Sequence, residues 1–306
     1  MGDFIETING RNYTINEAKQ IYMNYTLNHG GKITQRFRDC KVKIYPGQLP
    51  NGSRALANSN AETNEINMRK GQSIVTFFHE CGHLRKAWQD ASGKWHTNWE
   101  NETDYTAQMS YEDRANNIIR INRGTKGLAL GEAEAELYAS KVYWDLCGHT
   151  PQSYAYTATR KVYDEEIITL KKIALVLGVS EDEILSWDTE NDYGRNNLKS
   201  LFTKLTGRSD FWDATEYRMD YVSMPKFIRM SHPSFRIGET SLKNVELYRE
   251  DLNNAFRFYL RKDIQERYYQ SMGCSKSEFE QIYEKKIKEY QQLEKQLMQT
   301  LEGRQH

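Results

Sequence analysis

The residues best suited to chemistry in this sequence form one run of five, His79-Glu80-Cys81-Gly82-His83. Apolar residues recur around it at intervals of three and four from Gln72 to Trp88, which predicts a mostly buried helix. On that helix His79 and His83 project from one face, one turn apart, the spacing at which two imidazoles bind one zinc ion. Glu80 lies about 100° further round and is predicted to be a general base, not a ligand. The alternative is two partly buried histidines with ordinary hydrogen bonds and a solvated Glu80.

A catalytic zinc site needs a third protein ligand and keeps one position for water. The best source is the segment from Gly127 to Ser140, which contains Glu132 and Glu136. After Gly131 it is rich in helix formers, and its small residues favour close packing against the first helix. The alternative is an alanine-rich helix with a solvated acidic face.

Together these segments resemble the gluzincin class of zinc metallopeptidases. There the third ligand is a Glu on a second helix, often followed four residues later by an acid that orients a ligand histidine. The resemblance implies that Glu132 is the ligand and that Glu136 is the orienting acid. It covers residues 55–145.

The segment from Glu132 to Ala139 is also similar to the second motif of the ImmA/IrrE-type regulatory peptidases. It departs from that motif because Ser140-Lys141-Val142-Tyr143 is not followed by the usual Leu-Met-Pro ending. A looser similarity to the catalytic domain of anthrax lethal factor would make Glu136 the ligand instead.

Composition predicts a folded protein without a dominant charge. A chain of 306 residues suggests about two domains or lobes. Lys+Arg and Asp+Glu both number 42, so no overall field attracts nucleic acid or membrane. The predicted fold class is α+β, mainly helical and zincin-like, with a small mixed sheet and a helical C-terminal lobe. We expect an N-terminal lobe over residues 1–125 and a helical lobe over residues 126–306.

Cysteine spacing and the distribution of apolar residues indicate the cellular compartment in which the protein is expected. The four cysteines lie far apart and form no CxxC pair, which is typical of free thiols in a reducing compartment. No apolar run approaches the roughly 18 residues of a membrane span, and no signal peptide is visible. We expect a cytoplasmic protein; secretion without a cleaved signal is the alternative.

The N-terminal lobe shows several local signals. Asn9-Gly10 predicts a hairpin turn, Asn16–Asn28 an amphipathic helix, and Cys40–Tyr45 a strand. The weakly alternating segment Ala57–Met68 predicts one further strand directly before the first metal helix.

In zincin folds the strand before that helix is an exposed sheet edge, along which a peptide substrate lies extended. Unpaired N–H and C=O groups make such an edge suitable for strand addition. Proline at Asn64 or Asn67 would then be expected to remove an N–H that pairs with substrate. The alternative is a polar surface strand.

The polar and aromatic insert Gln89–Arg123 separates the two ligand helices and could form a rim or lid. Within it His96 is either an oxyanion donor or, more simply, a surface histidine. Gluzincins typically bring a Tyr, His or Arg from the chain after the third ligand to the oxyanion. Candidates here are Tyr217, Tyr221 and His232.

The segment from Glu165 to Trp187 predicts two helices joined at Gly178-Val179-Ser180. The second begins Glu181-Asp182-Glu183, which phosphates would repel, so we predict helix packing with Ser180 as N-cap and no DNA binding. The segment Leu242–Leu301 predicts two long helices broken at residues 272–275. The last is amphipathic and suits packing or self-association through a short coiled coil.

These observations predict a zinc-dependent endopeptidase acting on a protein or peptide, with neither nucleic acid nor membrane as partner. His79, His83 and Glu132 would hold Zn²⁺, with Glu80 as general base. Narrow specificity, regulatory or host-directed, is expected. The rival is a zincin-derived binding or scaffold protein with a structural or vestigial metal site. An intact Glu80 favours the enzyme, because a structural site has no use for a base.

Overall fold

The computed structural model describes residues 4–49, 55–100, 107–108, 117–121, 124–160, 162–188, 190–231 and 234–303. The chain is α+β and mainly helical, as predicted. The strands are β1 Phe4–Ile8, β2 Arg11–Thr14, β3 Lys41–Tyr45, β4 Ala57–Asn60, β5 Glu65–Arg69, β6 Trp88–Gln89, β7 Trp95–His96, β8 Ala107–Gln108, β9 Ile118–Ile121 and β10 Arg236–Ile237. The helices are α1 Ile15–Asn28, α2 Gln35–Arg38, α3 Ile74–Arg85, α4 Leu128–Cys147, α5 Pro151–Ala158, α6 Asp164–Leu177, α7 Glu181–Ser186, α8 Tyr193–Thr206, α9 Asp210–Ser231, α10 Glu239–Tyr259, α11 Lys262–Ser271 and α12 Lys276–Glu302.

Local signals in the N-terminal lobe fold as predicted. β1 and β2 form an antiparallel hairpin in which Asn9 and Gly10 have φ of 51° and 78°, as the favoured two-residue turn requires. Thr14 and Glu17 form a capping box at the start of α1. Ser73 caps α3 by accepting from the Thr76 amide, and every residue of α3 is buried.

The predicted single strand Ala57–Met68 is wrong. The chain forms two antiparallel strands, β4 and β5, with a turn at residues 61–64 in which Asn64 has φ of 56°. Asn adopts this left-handed conformation more readily than most residues. The sheet order is β3-β5-β4, with β3 and β5 parallel, so β5 is the central strand and β4 is the half of this segment that forms a sheet edge. Asn67 lies on the central strand, so proline at Asn64 or Asn67 does not test the edge.

Close packing of α3 on α4 positions the two ligand-bearing segments. A Cβ at Gly82 would lie 3.0 Å from Ala135 Cα and 3.1 Å from Ala135 Cβ, tighter than normal carbon contacts. One end of α4, including Ala133 and Leu137, belongs to the helical core, and the other end, including Val142, belongs to the core around α1 and α3. The helix is therefore shared by both cores, and a boundary near residue 125 stays a prediction.

The start of α4 is held by the helical part of the chain. Gly127 has φ of 82°, and a Cβ there would lie 2.1 Å from the Trp99 carbonyl oxygen. Asp220 of α9 accepts hydrogen bonds from the backbone amides of Gly127 and Ala129, both at 2.9 Å. Arg195 donates to the Trp99 carbonyl at 2.6 Å. Since no side chain of its own caps α4, α9 supplies the cap.

The remaining helices follow the sequence with one exception. α6 and α7 join through Gly178 with Ser180 as N-cap, as predicted. The segment Leu242–Leu301 contains three helices instead of two. The break at residues 272–275 is confirmed, and a second occurs at Leu260 and Arg261, where Gln265 donates to the Tyr259 carbonyl at 2.8 Å. Within the part of the chain that the structure describes, no helix is both long enough and apolar enough to cross a bilayer.

Candidate metal centre

Three side-chain atoms from two helices converge at the α3–α4 contact. His79 Nε2 lies 3.1 Å from His83 Nε2 and 3.1 Å from Glu132 Oε2. His83 Nε2 lies 3.7 Å from the same Glu132 oxygen. Zinc bonds of 2.0–2.1 Å in tetrahedral geometry place ligand atoms about 3.3 Å apart. The predicted set His79, His83 and Glu132 is thus brought together with spacing that suits one metal ion.

The orientation of His79 is fixed from behind by Glu136. His79 Nδ1 lies 2.9 Å from Glu136 Oε2, and Arg160 Nε donates to Glu136 Oε1 at 2.6 Å. Arg160 also donates to Ser73 Oγ at 3.2 Å and Thr76 Oγ1 at 3.1 Å, at the start of α3. In its neutral form, His79 donating Nδ1–H to this carboxylate would turn the lone pair of Nε2 towards the other two atoms of the cluster. Glu132 thus lies among the converging atoms and Glu136 lies behind His79, the arrangement predicted for a ligand and an orienting acid.

Asn98 orients the second histidine. Its Oδ1 accepts from His83 Nδ1 at 3.1 Å, and its Nδ2 donates to the Gly131 carbonyl at 3.0 Å and to Glu134 Oε2 at 3.2 Å. Asn98 is fully buried, and a Cβ at Gly131 would lie 2.9 Å from Asn98 Oδ1. Asn98 therefore ties α3 to the turn of α4 that carries Glu132. Sequence reasoning missed it, since one asparagine in a polar insert carries no signal.

The electrostatics of the cluster favour a cation between the three atoms. Burial disfavours a charged imidazole, but hydrogen bonds to Glu132 and Glu136 outweigh it and raise the pKa of His79 to about 10. Against the same burial, Glu132 raises the pKa of His83 to about 9. Burial alone would raise the pKa of Glu132, yet His83 and His79 hold it well below its ordinary value. Glu132 Oε2 is buried, and His79 Nε2 and His83 Nε2 lie 3.1 Å and 3.7 Å from it. A buried acceptor beside two imidazole nitrogens fits a divalent metal such as zinc.

Glu80 lies on the cleft wall next to the cluster and is buried. Burial raises the pKa of Glu80, while His79 and His83 act in the opposite direction. The Ser59 side chain of β4 lies against its carboxylate. A carboxylate whose pKa is shifted towards neutrality is better matched to proton transfer near pH 7.

A cleft of about 390 Å³ opens beside these residues. Residues 55–60, which include all of β4, form one wall, and Val162, Tyr163, Phe227 and Met230 contribute to the walls as well. The residues of β4 line the cleft, and no described strand pairs with the outer side of β4. An extended chain can lie in such a cleft and pair with the edge.

Tyr163 is an aromatic residue in contact with the cluster. Its ring stacks on His79 with centroids 5.1 Å apart and planes 11° apart, and Lys226 Nζ lies 4.8 Å from its centroid. Burial raises the pKa of Tyr163 well above its usual value, and the nearby Glu132 carboxylate raises it further. Its hydroxyl is therefore a neutral donor beside the cluster. Nothing in the local sequence distinguishes Tyr163 from the other tyrosines, of which the chain has 20 in all.

The oxyanion candidates named from the sequence lie elsewhere or cannot be placed. Tyr217 is 40% exposed and packs edge-on against Tyr248, and Tyr221 donates from its hydroxyl to the Ile121 carbonyl at 2.9 Å. Neither lines the cleft. His232 lies outside the described residues.

The insert Gln89–Arg123 is described only in part, so its role as rim or lid stays a prediction. His96 is buried, contrary to the expectation of a surface histidine. Its ring stacks on Trp88 at 4.8 Å, and its Nε2 lies 2.8 Å from Asp90 Oδ2. Packing against β6 thus accounts for His96, which is not a cleft residue.

Comparison with known proteins adds no family assignment. The chain matches no protein-family model, and no match was found among curated proteins or solved structures. The geometry of the site is accordingly the basis for inferring function.

Proposed function

We propose that this protein is a zinc-dependent endopeptidase of the gluzincin type with a zincin-like fold. The observation that carries the proposal is the convergence of His79 Nε2, His83 Nε2 and Glu132 Oε2 beside Glu80 on the wall of an open cleft. Three protein donors leave a position for water or substrate, as catalytic zinc sites require. Glu80 stands next to that position without belonging to the donor set.

The chain's own residues divide the remaining tasks of peptide hydrolysis. When bound, zinc supplies the Lewis acid that activates water and polarises the scissile carbonyl. Glu80 accepts the proton of the attacking water and passes it to the leaving amine. The Tyr163 hydroxyl, neutral beside Glu132, donates to the developing oxyanion. Glu136 and Asn98 keep both imidazoles in the tautomer and orientation that the metal needs.

The substrate is a protein or peptide segment in extended form. Backbone groups of β4 pair with it along Ala57–Asn60, so the affinity from that edge does not depend on sequence. Side chains of the other cleft residues must provide the specificity. Four free thiols support a reducing compartment, hence the cytoplasm. Neither nucleic acid nor membrane is proposed as partner, and self-association through α12 stays a prediction.

Metal analysis and peptide hydrolysis test the proposal together. The purified chain should hold about one zinc ion, which His79→Ala or His83→Ala should remove, because two remaining ligands form a weak site. His29→Ala, at an exposed histidine outside the cluster, is the matched control.

Glu80→Gln should keep zinc and lose hydrolysis of a peptide library mapped by mass spectrometry. Zinc retained in both histidine variants would refute the metal assignment. Full zinc occupancy with no peptide cleaved by the wild type would instead support the rival, a binding or scaffold protein.

A further inference from the structure

One charged residue on the cleft wall has no role in the proposed reaction. Glu100 and Thr97 both line the cleft and belong to one tight turn. The Glu100 amide donates to the Thr97 carbonyl at 3.0 Å, and the Thr97 hydroxyl donates to Glu100 Oε2 at 2.9 Å. Between them, Asn98 is fixed to His83 and Trp99 is buried in the helical core. Anchors on both sides therefore hold the Glu100 carboxylate in place against the cleft.

Charge balance leaves Glu100 without a counter-ion. With a divalent ion bound, the charges of Glu80 and Glu132 are balanced. Arg160, the cationic side chain among the cleft residues that the structure describes, is paired with Glu136. Across the described ranges, Glu100 forms no ion pair with any Lys, Arg or His. The cleft thus keeps one negative charge, located at Glu100.

The surroundings of Glu100 make that charge costly. Burial raises the pKa of Glu100, and the nearby Glu132 carboxylate adds to the effect against the attraction of His83. A cation brought into the cleft would recover the energy lost by desolvation. A neutral or acidic group in the same place would not recover the energy that Glu100 loses by desolvation.

We propose that Glu100 is a specificity-determining residue that selects peptides carrying a positive charge close to the scissile bond. The inference rests on the proposed peptidase function and names the substrate class for that site. Two sources supply the required cation: the side chain of Lys or Arg within a peptide, or the free α-ammonium group of its N-terminus. The first gives an endopeptidase selective for basic residues, and the second gives trimming from the N-terminus.

Binding measured without turnover tests the inference. The probe is a set of short C-terminally fluorescein-labelled peptides, identical except for Lys, norleucine or Glu at one scanned position, each with a free or acetylated N-terminus. Affinity is measured by fluorescence anisotropy on zinc-loaded Glu80→Gln protein, which should bind without cleaving. At one position Lys should bind about 10- to 100-fold more tightly than norleucine, the range expected for a charged hydrogen bond, and Glu should bind most weakly. Adding Glu100→Gln should abolish the difference.

Comparing peptides that have a free N-terminus with those that have an acetylated one separates the two sources of positive charge. A Lys preference that survives acetylation assigns the cation to a side chain, whereas a preference for the free N-terminus at all scanned positions assigns it to the α-ammonium group. Equal affinities across the set, or a preference unchanged by Glu100→Gln, would overturn the inference.

If Glu100→Gln loses its fold or zinc, Glu100→Asp decides. It keeps the charge on a shorter side chain and should weaken the cation preference; an unchanged preference refutes the inference. Absence of hydrolysis in the wild type would refute the peptidase proposal and leaves the binding comparison intact, so the two failures are distinguishable.

Discussion

The contact between Gly82 and Ala135 sets the width of the candidate metal centre, and Gly82→Ala tests this. The new Cβ would lie 3.0 Å from Ala135 Cα and 3.1 Å from Ala135 Cβ. Carbon atoms in contact prefer about 3.5–4.0 Å, so α3 and α4 must separate by about 0.5 Å. His79 and His83 lie on one of these helices and Glu132 on the other.

The expected magnitudes differ for stability and metal binding. Overpacking costs about 1–3 kcal/mol, and the better helix propensity of alanine returns about 1 kcal/mol, so the apo protein should lose about 0–2 kcal/mol. Metal–ligand distances tolerate only about 0.2 Å. A separation of about 0.5 Å should therefore weaken zinc binding by roughly 10- to 100-fold, as loss of an orienting residue does.

The assay is competition for zinc against a chromophoric chelator, together with thermal unfolding of the apo protein. The matched control is Cys81→Ala, a change at the neighbouring buried residue that removes volume without pushing the helices apart. Cys81→Ala should lower stability and keep zinc affinity, whereas Gly82→Ala should weaken zinc binding by roughly 10- to 100-fold with a stability loss of at most about 2 kcal/mol. Ala135→Gly in the Gly82→Ala background should recover part of the affinity. Wild-type affinity in Gly82→Ala would refute the reasoning.

Three further predictions follow from named contacts. Glu132→Ala should abolish zinc binding while Glu136→Ala weakens it by roughly 10- to 100-fold; the opposite order would make Glu136 the ligand. Burial lowers the pKa of Lys286 from 10.5 to about 7. Between pH 7 and pH 10.5 the unfolded state therefore binds more protons than the folded state, so the free energy of unfolding should rise with pH over that range. Lys286→Met should remove that rise. It also leaves Gln265 Oε1 without its donor, and after this cost the protein should still be about 1–3 kcal/mol more stable at pH 6 in urea titrations. An unchanged dependence of stability on pH would contradict this. Asp220→Ala should lower stability by about 1–3 kcal/mol in thermal unfolding by removing the cap of α4, and a wild-type melting curve would contradict it.

Much of the candidate site could be predicted because its signals are local. His79 and His83 are one turn apart on a helix whose apolar period is evident, and α3 forms over Ile74–Arg85, within the predicted range Gln72 to Trp88. The acids of α4 fall on a run of helix formers, so their presence on a second helix was also foreseeable. That Glu132 faces α3 while Glu136 lies behind His79 depends on how the two helices pack. Sequence alone therefore left both acids open.

The errors have physical reasons that pattern reading does not capture. The hairpin of β4 and β5 turns through Asn64, without glycine or proline, so one strand was predicted where there are two. The break after α10 depends on Gln265, which satisfies the exposed Tyr259 carbonyl from the next helix. His96 was assigned to the surface because nothing in the sequence indicated that its ring would stack on Trp88. The first error is a local turn with an atypical sequence, and in the other two a tertiary contact overrides a local signal.

Residues 160–166, from just after α5 into the first turn of α6, show why chemistry near the candidate metal centre is harder to predict than the donors themselves. Arg160 connects Glu136 to the start of α3, Tyr163 stacks on His79, and Glu166 accepts from Lys226 of α9 at 2.6 Å. The same Lys226 ammonium lies over the ring of Tyr163, so α9 contacts the ring that stacks on His79. None of these contacts is periodic, since each joins segments far apart in sequence. Donor spacing is encoded within one helix, whereas the groups that orient donors and stabilise charge come from wherever packing brings them.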